Sequence, residues 1–124
     1  MIGYTTLGTN DFDAATKFYD DLFAVIGVGR LIEGENFIAW GTSMNAPGFS
    51  IITPYNKEPA TPGNGTMIAL AVDAPEKVHA MHAKALELGG SDEGAPGPRQ
   101  GGFYAGYFRD LDGNKLNAFC MVET

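Results

Sequence analysis

Residues 107–116 read YFRDLDGNKL, and this stretch carries the clearest structural signal in the chain. Asp112-Gly113 is a strong hairpin signal, because a two-residue type I′ turn requires positive φ at both positions. The side chains of Asp110 and Asn114 can stabilise such a turn through hydrogen bonds to the backbone. The sequence therefore predicts a β-hairpin formed by the last two strands of the chain.

The composition is that of one globular domain. With 124 residues, 44% of them hydrophobic, the chain is long enough to bury a core without disulfides or metal ions. Fifteen acidic and eight basic residues give a net charge of −7, and the basic residues are scattered along the sequence. Binding to nucleic acid or to an anionic membrane needs clustered Lys and Arg. The composition therefore argues against both kinds of partner.

The sequence also predicts a cytoplasmic location. Cys120 is the only cysteine, so no intramolecular disulfide can form, which favours a reducing compartment. Residues 1–4 show neither the basic region nor the apolar run of a signal peptide. Apolar runs such as 67–72 are too short to span a bilayer.

Each half of the chain shows the same order of predicted elements: a strand, a helix and further strands. In the first half, a strand at 2–8 is followed by a helix whose N-cap is Asn10 or Asp11. Apolar residues at helical spacing define the buried face of this helix. The predicted strands that follow it lie at about 30–33, 37–41 and 49–53.

The second half repeats this order after a linker rich in Pro and Gly. A strand at 66–72 leads to a helix with Asp73 as the predicted N-cap and Glu76 at the capping-box position. Residues 91–102 are rich in Gly and Pro and are predicted to form a loop. The last two strands are predicted at 103–109 and 115–122.

A shift of 63 residues aligns the starts of the two halves. Near their ends the shift becomes 65, which aligns Ile52 with Asn117. We therefore predict an α+β fold, a single domain built from two tandem βαβββ modules. Module one spans 1–54, the linker 55–64 and module two 65–124. Paired within one chain or between two chains, the modules would enclose a concavity of the kind that binds small ligands.

Three motifs carry a resemblance to a known family. They are YTTLGTND at 4–11 with Phe18-Tyr19, GNGT at 63–66 before a strand, and the stretch at 107–116. They are similar to those of the glyoxalase/bleomycin-resistance/dioxygenase superfamily, also called the vicinal oxygen chelate proteins. The resemblance implies an open, U-shaped mixed sheet around a cavity, with the helices on the outside. It also implies one divalent metal ion, bound by His, Glu or Gln.

The positions that the resemblance assigns to the metal ligands are Tyr4, Ile52, Met67 and Asn117, with Ser50 as the neighbour of Ile52 on the same face. None of them is His, Glu or Gln. Divalent metal ions in such sites prefer carboxylate and imidazole ligands. Isoleucine offers no donor atom, and a phenol, a thioether and an amide are weak ligands. We therefore predict no metal ion and no cofactor.

Other candidate residues have simpler structural explanations. His79 and His82, the only histidines, are predicted to be ordinary helix residues and not metal ligands. Cys120 is interpreted as a buried thiol in a strand and not as a nucleophile. Residues 99–102 could form a mobile lid that carries Arg99, although an exposed loop is the simpler interpretation.

The function predicted from these observations is metal-independent binding of a small organic molecule in the sheet cavity, by a homodimer. One alternative is a metal-dependent lyase, isomerase or dioxygenase that resembles lactoylglutathione lyase. Another is a structural or regulatory partner module. The sequence assigns no catalytic residue, and it leaves open the ligand and whether the modules pair within or between chains. The predicted ligand-binding residues are Tyr4, Trp40, Ser50, Ile52, Met67, Tyr104, Tyr107 and Asn117.

Overall fold

The computed structural model describes residues 1–123 as two α-helices, eight strands and one short 3₁₀ turn. The first half contains β1 (Tyr4–Gly8), α1 (Phe12–Ala24), β2 (Gly29–Glu33), β3 (Phe37–Gly41) and β4 (Gly48–Ile52). The second half contains β5 (Ile68–Ala71), α2 (Pro75–Glu87), β6 (Ser91–Pro98), the 3₁₀ turn (Gln100–Gly102), β7 (Phe103–Arg109) and β8 (Lys115–Met121). The predicted end of module two at Thr124 lies outside the described residues.

Each half forms its own four-stranded mixed sheet, with strand orders β1-β4-β3-β2 and β5-β8-β7-β6. In each sheet the first strand runs parallel to the last, and the other neighbours are antiparallel. The prediction of two βαβββ modules is therefore confirmed. Within the described residues the sheets do not close into a barrel. Neither of the two described helices is long and apolar enough to cross a lipid bilayer.

The two helices occupy equivalent places in the modules. Each is 13 residues long, and their starts at Phe12 and Pro75 are 75 − 12 = 63 positions apart, as the predicted alignment requires. Asp11, one of the two predicted N-caps, caps α1 by accepting a hydrogen bond of 3.1 Å from the backbone N–H of Ala14. This bond satisfies one of the free N–H groups at the start of the helix.

The start of α2 differs from the prediction. Its N-cap is Ala74, which makes no side-chain cap, and Asp73 instead forms an ion pair of 2.8 Å with Lys77. Pro75 explains the difference, because proline favours the first helical position and makes the residue before it the N-cap. The predicted capping box at Asp73 is therefore wrong.

A cluster of aromatic side chains fills the core between α1 and the first sheet. The rings of Tyr19, Phe23, Trp40 and Phe49 have centroid separations of 4.7 to 6.4 Å. Each such pair adds about 0.5–1.5 kcal/mol beyond the burial of its area. These contacts hold α1 on one face of its sheet and leave the other face without a helix.

Residues 91–98 form a strand and not the predicted loop. β6 pairs antiparallel with β7, and its register shifts twice, between Asp92 and Gly94 and between Gly94 and Gly97. Such bulges, together with Gly and Pro, are tolerated in an edge strand, where one side makes no ladder hydrogen bonds. The loop prediction failed because the composition of an irregular edge strand is that of a loop.

The hairpin between β7 and β8 is present, but its turn is not of type I′. Gly113 has a φ of 86°, whereas Asp112 has no positive φ. The N–H of Gly113 donates to the carbonyl of Asp110 at 3.1 Å, which closes a turn around Leu111 and Asp112. The predicted side-chain support is confirmed: Oδ1 of Asp110 accepts hydrogen bonds from the N–H groups of Asp112 and Asn114, at 3.0 and 2.9 Å.

This turn also joins the two modules. The Nδ2 group of Asn114 donates to the carbonyl of Gly8 at 3.1 Å. Oδ1 of Asp112 accepts from the N–H of Asn10 at 2.8 Å. Helix α1 packs against α2 as well, while no strand of one sheet pairs with the other among residues 1–123. The modules are therefore held together by the helices and the hairpin.

Candidate functional site

The second sheet has one face that no helix covers. Along β8, Leu116, Ala118 and Cys120 are buried in the core on the side of α2. Because side chains alternate along a strand, the residues between them project from the opposite side. We call this side the open face. Its residues on β5, β7 and β8 are Ala69, Ala71, Phe103, Ala105, Tyr107, Arg109, Lys115, Asn117, Phe119 and Met121.

Asn117 lies near the middle of the open face, between its strand partners Ala69 and Tyr107. Its side chain is only 1% exposed, and neither its Nδ2 nor its Oδ1 atom has a hydrogen-bond partner among the described residues. Buried polar groups in proteins are nearly always paired. Leaving one unpaired costs roughly 1–3 kcal/mol. The amide of Asn117 is therefore an exception to this rule within residues 1–123, and both of its polar atoms are available for a partner.

Two cations flank the ring of Tyr107. The guanidinium carbon of Arg99 lies 5.5 Å from the ring centroid, and Nζ of Lys115 lies 5.4 Å from it. Arg99 is positioned by the carbonyls of Ala95 and Gly97, each 2.9 Å from its nitrogens. Neither cation forms an ion pair with a carboxylate within residues 1–123. The open face thus carries two cations that form no ion pair within residues 1–123.

A cavity of about 590 Å³ adjoins the hairpin end of the open face. It is lined by residues 62–67 of the linker end and by Arg109 and Lys115. Arg109 is engaged on its other side, since it pairs with Glu93 and donates to the carbonyl of Gly113 at 2.8 Å. The volume is within the range of ordinary small-molecule sites.

Six of the eight predicted ligand-binding residues lie away from the helices. Tyr107 and Asn117 are neighbours on the open face, and Met67 lines the adjoining cavity. Tyr4, Ser50 and Ile52 lie on the corresponding face of the first sheet, where Tyr4 is 65% exposed. The structure therefore brings Met67, Tyr107 and Asn117 to one site, and places the other three on a separate sheet.

Trp40 and Tyr104 lie on the helix side of their sheets and not on an open face. Trp40 is buried, and its indole N–H donates to Oδ1 of Asp20 at 2.9 Å. Hydrogen bonds from Arg30 and from this indole lower the pKa of the Asp20 carboxyl. The hydroxyl of Tyr104 lies 2.5 Å from Nε2 of His79 on α2. Side chains alternate along these strands as expected, but the sequence does not show which aromatic side chains face the helix and which face the other side of the sheet.

The strand registers correct one predicted equivalence. Ser50 pairs with Thr6, and Asn117 pairs with Ala69. Because a shift of 63 matches Thr6 to Ala69, it is Ser50 and not Ile52 that corresponds to Asn117. The shift at the module ends is thus 117 − 50 = 67, and not the predicted 65. Unlike the amide of Asn117, the Ser50 hydroxyl is satisfied, since it donates to the carbonyl of Thr5 at 2.7 Å.

A divalent metal ion does not fit the residues at these positions. With the corrected register they are Tyr4, Ser50, Met67 and Asn117, which include no carboxylate and no imidazole. Ser50 already has a backbone partner, and Met67 presents a soft thioether. Elsewhere in residues 1–123, no three His, Cys, Asp or Glu side chains come close enough to hold one ion.

Each histidine of α2 has a side-chain partner. The exposed His79 bonds to Tyr104, and Nε2 of the buried His82 lies 2.9 Å from Oδ1 of Asp92 on β6. A hydrogen bond from the N–H of Gly94 and one from His82 lower the pKa of the Asp92 carboxyl. Cys120 is buried in the core, as predicted.

Sequence reasoning missed the cations of the site. Lys115 was treated only as part of the hairpin motif, and Arg99 only as a residue of a lid. For Lys115 a signal was available, because it stands two positions before Asn117 in the same strand and so shares its face. Arg99 belongs to neither β7 nor β8, so no spacing along these strands predicts its contact with Tyr107.

Comparison with known families agrees with this architecture. A model described as the Glyoxalase/Bleomycin resistance protein/Dioxygenase superfamily matches residues 1–118. The chain belongs to this superfamily. No curated protein matches the chain.

Several solved structures of the superfamily are similar to this chain. A glyoxalase/bleomycin resistance protein from Albidiferax ferrireducens T118 is 34% identical, with a TM-score of 0.90, and the match covers 98% of this chain and 99% of that one. A family enzyme from Burkholderia phytofirmans PsJN is 19% identical, with a TM-score of 0.79 over 97% and 98% of the two chains. A lactoylglutathione lyase from Agrobacterium tumefaciens is 22% identical, with a TM-score of 0.70 over 97% and 92%. The last two likenesses concern the fold.

Proposed function

We propose that this superfamily member binds a small organic molecule on the open face of its second sheet, without a metal ion. The observation that carries the proposal is the buried amide of Asn117, whose two polar atoms lack partners within residues 1–123. Asn117 has Tyr107 beside it and a cavity of ligand size at the end of the same face. A few polar groups among aromatic and apolar side chains are the usual composition of a small-molecule site.

The metal-dependent alternative has less support. An enzyme resembling lactoylglutathione lyase would need metal ligands, and Tyr4, Ser50, Met67 and Asn117 do not provide them. The likeness to the Agrobacterium lyase, at 22% identity, concerns the fold and not the site.

Native mass spectrometry with elemental analysis of freshly purified protein tests the proposal directly. We expect no stoichiometric zinc, nickel, iron or manganese, and an organic adduct that is lost in the variant Asn117→Leu. The exposed Asn45→Leu serves as the matched control and should keep the adduct. Stoichiometric metal in the wild-type protein, or equal adduct in both variants, would contradict the proposal.

We also infer that the chain forms a homodimer, in which the first sheet of one copy covers the open face of the other. Large side chains on the uncovered side support this: Tyr4 is 65% exposed and Met67 39% exposed. Burying such side chains gives about 25 cal/mol per Å² of apolar area. Sedimentation of Tyr4→Glu should show a shift towards monomer, while the control Tyr55→Glu in the linker should not. Wild-type protein that stays monomeric at high concentration would exclude the dimer.

The predicted cytoplasmic location remains part of the proposal. Its support is that Cys120 is the only cysteine and is a buried free thiol. A thiol of this kind is typical of proteins in reducing compartments. Fractionation of cells that express the chain from its native gene tests the location, and recovery in an extracytoplasmic fraction would contradict it.

A further inference from the structure

We propose that the ligand of the open face is an organic anion, whose anionic oxygens are bound by Lys115 and Asn117 and whose apolar part extends towards Phe119. The inference rests on the proposed function and names the chemical class of its ligand. A carboxylate attached to an aromatic or other planar apolar body fits the description best.

The first argument is charge. Five of the eight Lys and Arg side chains form ion pairs with carboxylates in residues 1–123. Of the remaining three, Arg99 and Lys115 both lie within 5.5 Å of the Tyr107 ring centroid. Two cations without ion-pair partners at one ring make this part of the face electropositive, and a positive potential favours an anion beside them. In a chain of net charge −7, this local positive field selects against a cationic ligand.

The second argument is the orientation of the donors. Lys115 and Asn117 are two residues apart on β8, about 7 Å along the strand, and project from the same side. The Lys115 ammonium leans over Tyr107, which is the direct cross-strand partner of Asn117. An ammonium and an amide NH₂ two residues apart on the same side of a strand can donate to the two oxygens of one carboxylate. The unpaired Oδ1 of Asn117 is left to accept a hydrogen bond from an O–H or N–H group next to that carboxylate.

The third argument is the change of polarity along the face. The cavity at the hairpin end is lined by two charged side chains, Arg109 and Lys115, and by no acidic one. Towards the other end, the rings of Phe103 and Phe119 pack together, tilted by 33°, at a centroid distance of 4.9 Å. Lys115 and Phe119 are four residues apart, about 14 Å along the strand. A charged head at one end and a planar apolar body at the other match this pattern.

NMR titrations of the isotope-labelled protein with three related probes test the inference. The probes are 1-naphthoate, its neutral amide 1-naphthamide and the cation 1-naphthylmethylammonium. We expect shifts at open-face residues with naphthoate, an affinity at least about tenfold higher than for the amide, and no such shifts with the cation. Naphthoate binding should also weaken as NaCl is raised, because salt screens the charge interaction.

Two variants separate the role of Lys115 from a general effect of charge. Lys115→Met should weaken naphthoate binding about tenfold and leave naphthamide binding unchanged. Lys57→Met removes the third unpaired cation, which does not line the cavity, and should change neither. If Lys115→Met does not fold, Lys115→Gln and the salt dependence of the wild-type protein answer the same question.

The possible failures are distinguishable. Equal affinity for naphthoate and naphthamide at the open face would overturn the anion inference and leave the proposed function in place. The same conclusion follows if Lys115→Met binds naphthoate like the wild type. If none of the three probes shifts any open-face resonance, the face does not bind a small organic molecule of these classes, and both the anion inference and the proposed small-molecule site fail.

Discussion

The hydroxyl of Tyr19 donates a hydrogen bond of 2.5 Å to Oδ2 of Asp110, across 91 positions of the chain. Tyr19 belongs to the first helix and Asp110 to the last hairpin, and both are buried. Burial, and then the nearby charge of Asp110, raise the pKa of the Tyr19 hydroxyl well above its usual value. Burial also raises the pKa of the Asp110 carboxyl, although its hydrogen bonds oppose the shift. This contact connects the two modules, and the burial of Asp110 makes the stability of the protein depend on pH.

Replacing Tyr19 by Phe removes the bond and little else. The lost bond goes to a buried carboxylate, so we expect the free energy of unfolding at neutral pH to fall by about 2 kcal/mol. The loss should be smaller near pH 3.5, where Asp110 is protonated and the bond is no longer charge-assisted. Urea denaturation at both pH values measures it. An equal loss at both would show that the charge of Asp110 does not strengthen the bond, and would contradict the charge-assisted explanation.

Asp110→Asn tests the pH dependence itself. Because the folded-state pKa of Asp110 lies above its unfolded value, the folded protein binds the proton more tightly. The stabilisation from that proton is complete below the unfolded pKa and is lost as pH rises through the folded pKa. Asp110→Asn has no such proton to lose. The free energy of unfolding of the variant, minus that of the wild type, should therefore rise between pH 3.5 and pH 7. Asp13→Asn, at an exposed position, is the control. A stability difference between Asp110→Asn and the wild type that does not change with pH would contradict the assignment of the pH dependence to Asp110.

Asn117→Leu should stabilise the protein. It replaces an amide that has no partner within residues 1–123 by an apolar side chain of similar size, which removes a cost of about 1–2 kcal/mol. Thermal unfolding of the ligand-free protein measures the change. Residues that are needed for binding often lower the stability of the folded protein. A destabilised variant would mean that the amide is satisfied in the folded protein by bound water, and that its role is structural.

Gly113 should resist substitution for reasons of backbone geometry alone. Its φ of 86° is in the left-handed region, while an added Cβ would meet only Pro62, at 3.8 Å. Gly113→Ala should therefore cost about 1–2 kcal/mol, and Gly113→Asn less, because asparagine tolerates this conformation. Gly3→Ala, with open space and no positive φ, is the neutral control. Equal stability of the alanine and asparagine variants at position 113 would contradict this explanation.

The sequence predicted the fold well because the modules have strong local signals. The alignment of the two helices by 63 residues and the strands at 37–41 and 103–109 are found in the structure. Irregular β6 was missed, because its Gly and Pro residues are those of a loop and its pairing with β7 is a tertiary property. The type I′ turn was wrong because the hairpin closes between Asp110 and Gly113, one residue earlier than Asp-Gly alone suggests.

The candidate site was only partly predictable. Met67, Tyr107 and Asn117 lie on the predicted side of the second sheet, which strand alternation and the family motif fix, and their role in binding stays a prediction. Trp40 and Tyr104 were assigned to the ligand, although they lie on the helix side, since aromatic residues suit both the core and a cavity. The unpaired state of the Asn117 amide depends on its surroundings in three dimensions, which no motif encodes.

The hairpin of the second module also affects how the chain unfolds. Asp110 obtains one of its partners from α1, and Asn114 donates to the end of β1. Separating the halves breaks both of these bonds and the packing of α1 on α2 together. The protein should therefore lose its structure in one cooperative transition. A chain nicked within the linker should stay assembled, as a non-covalent complex of its two halves, until that same transition.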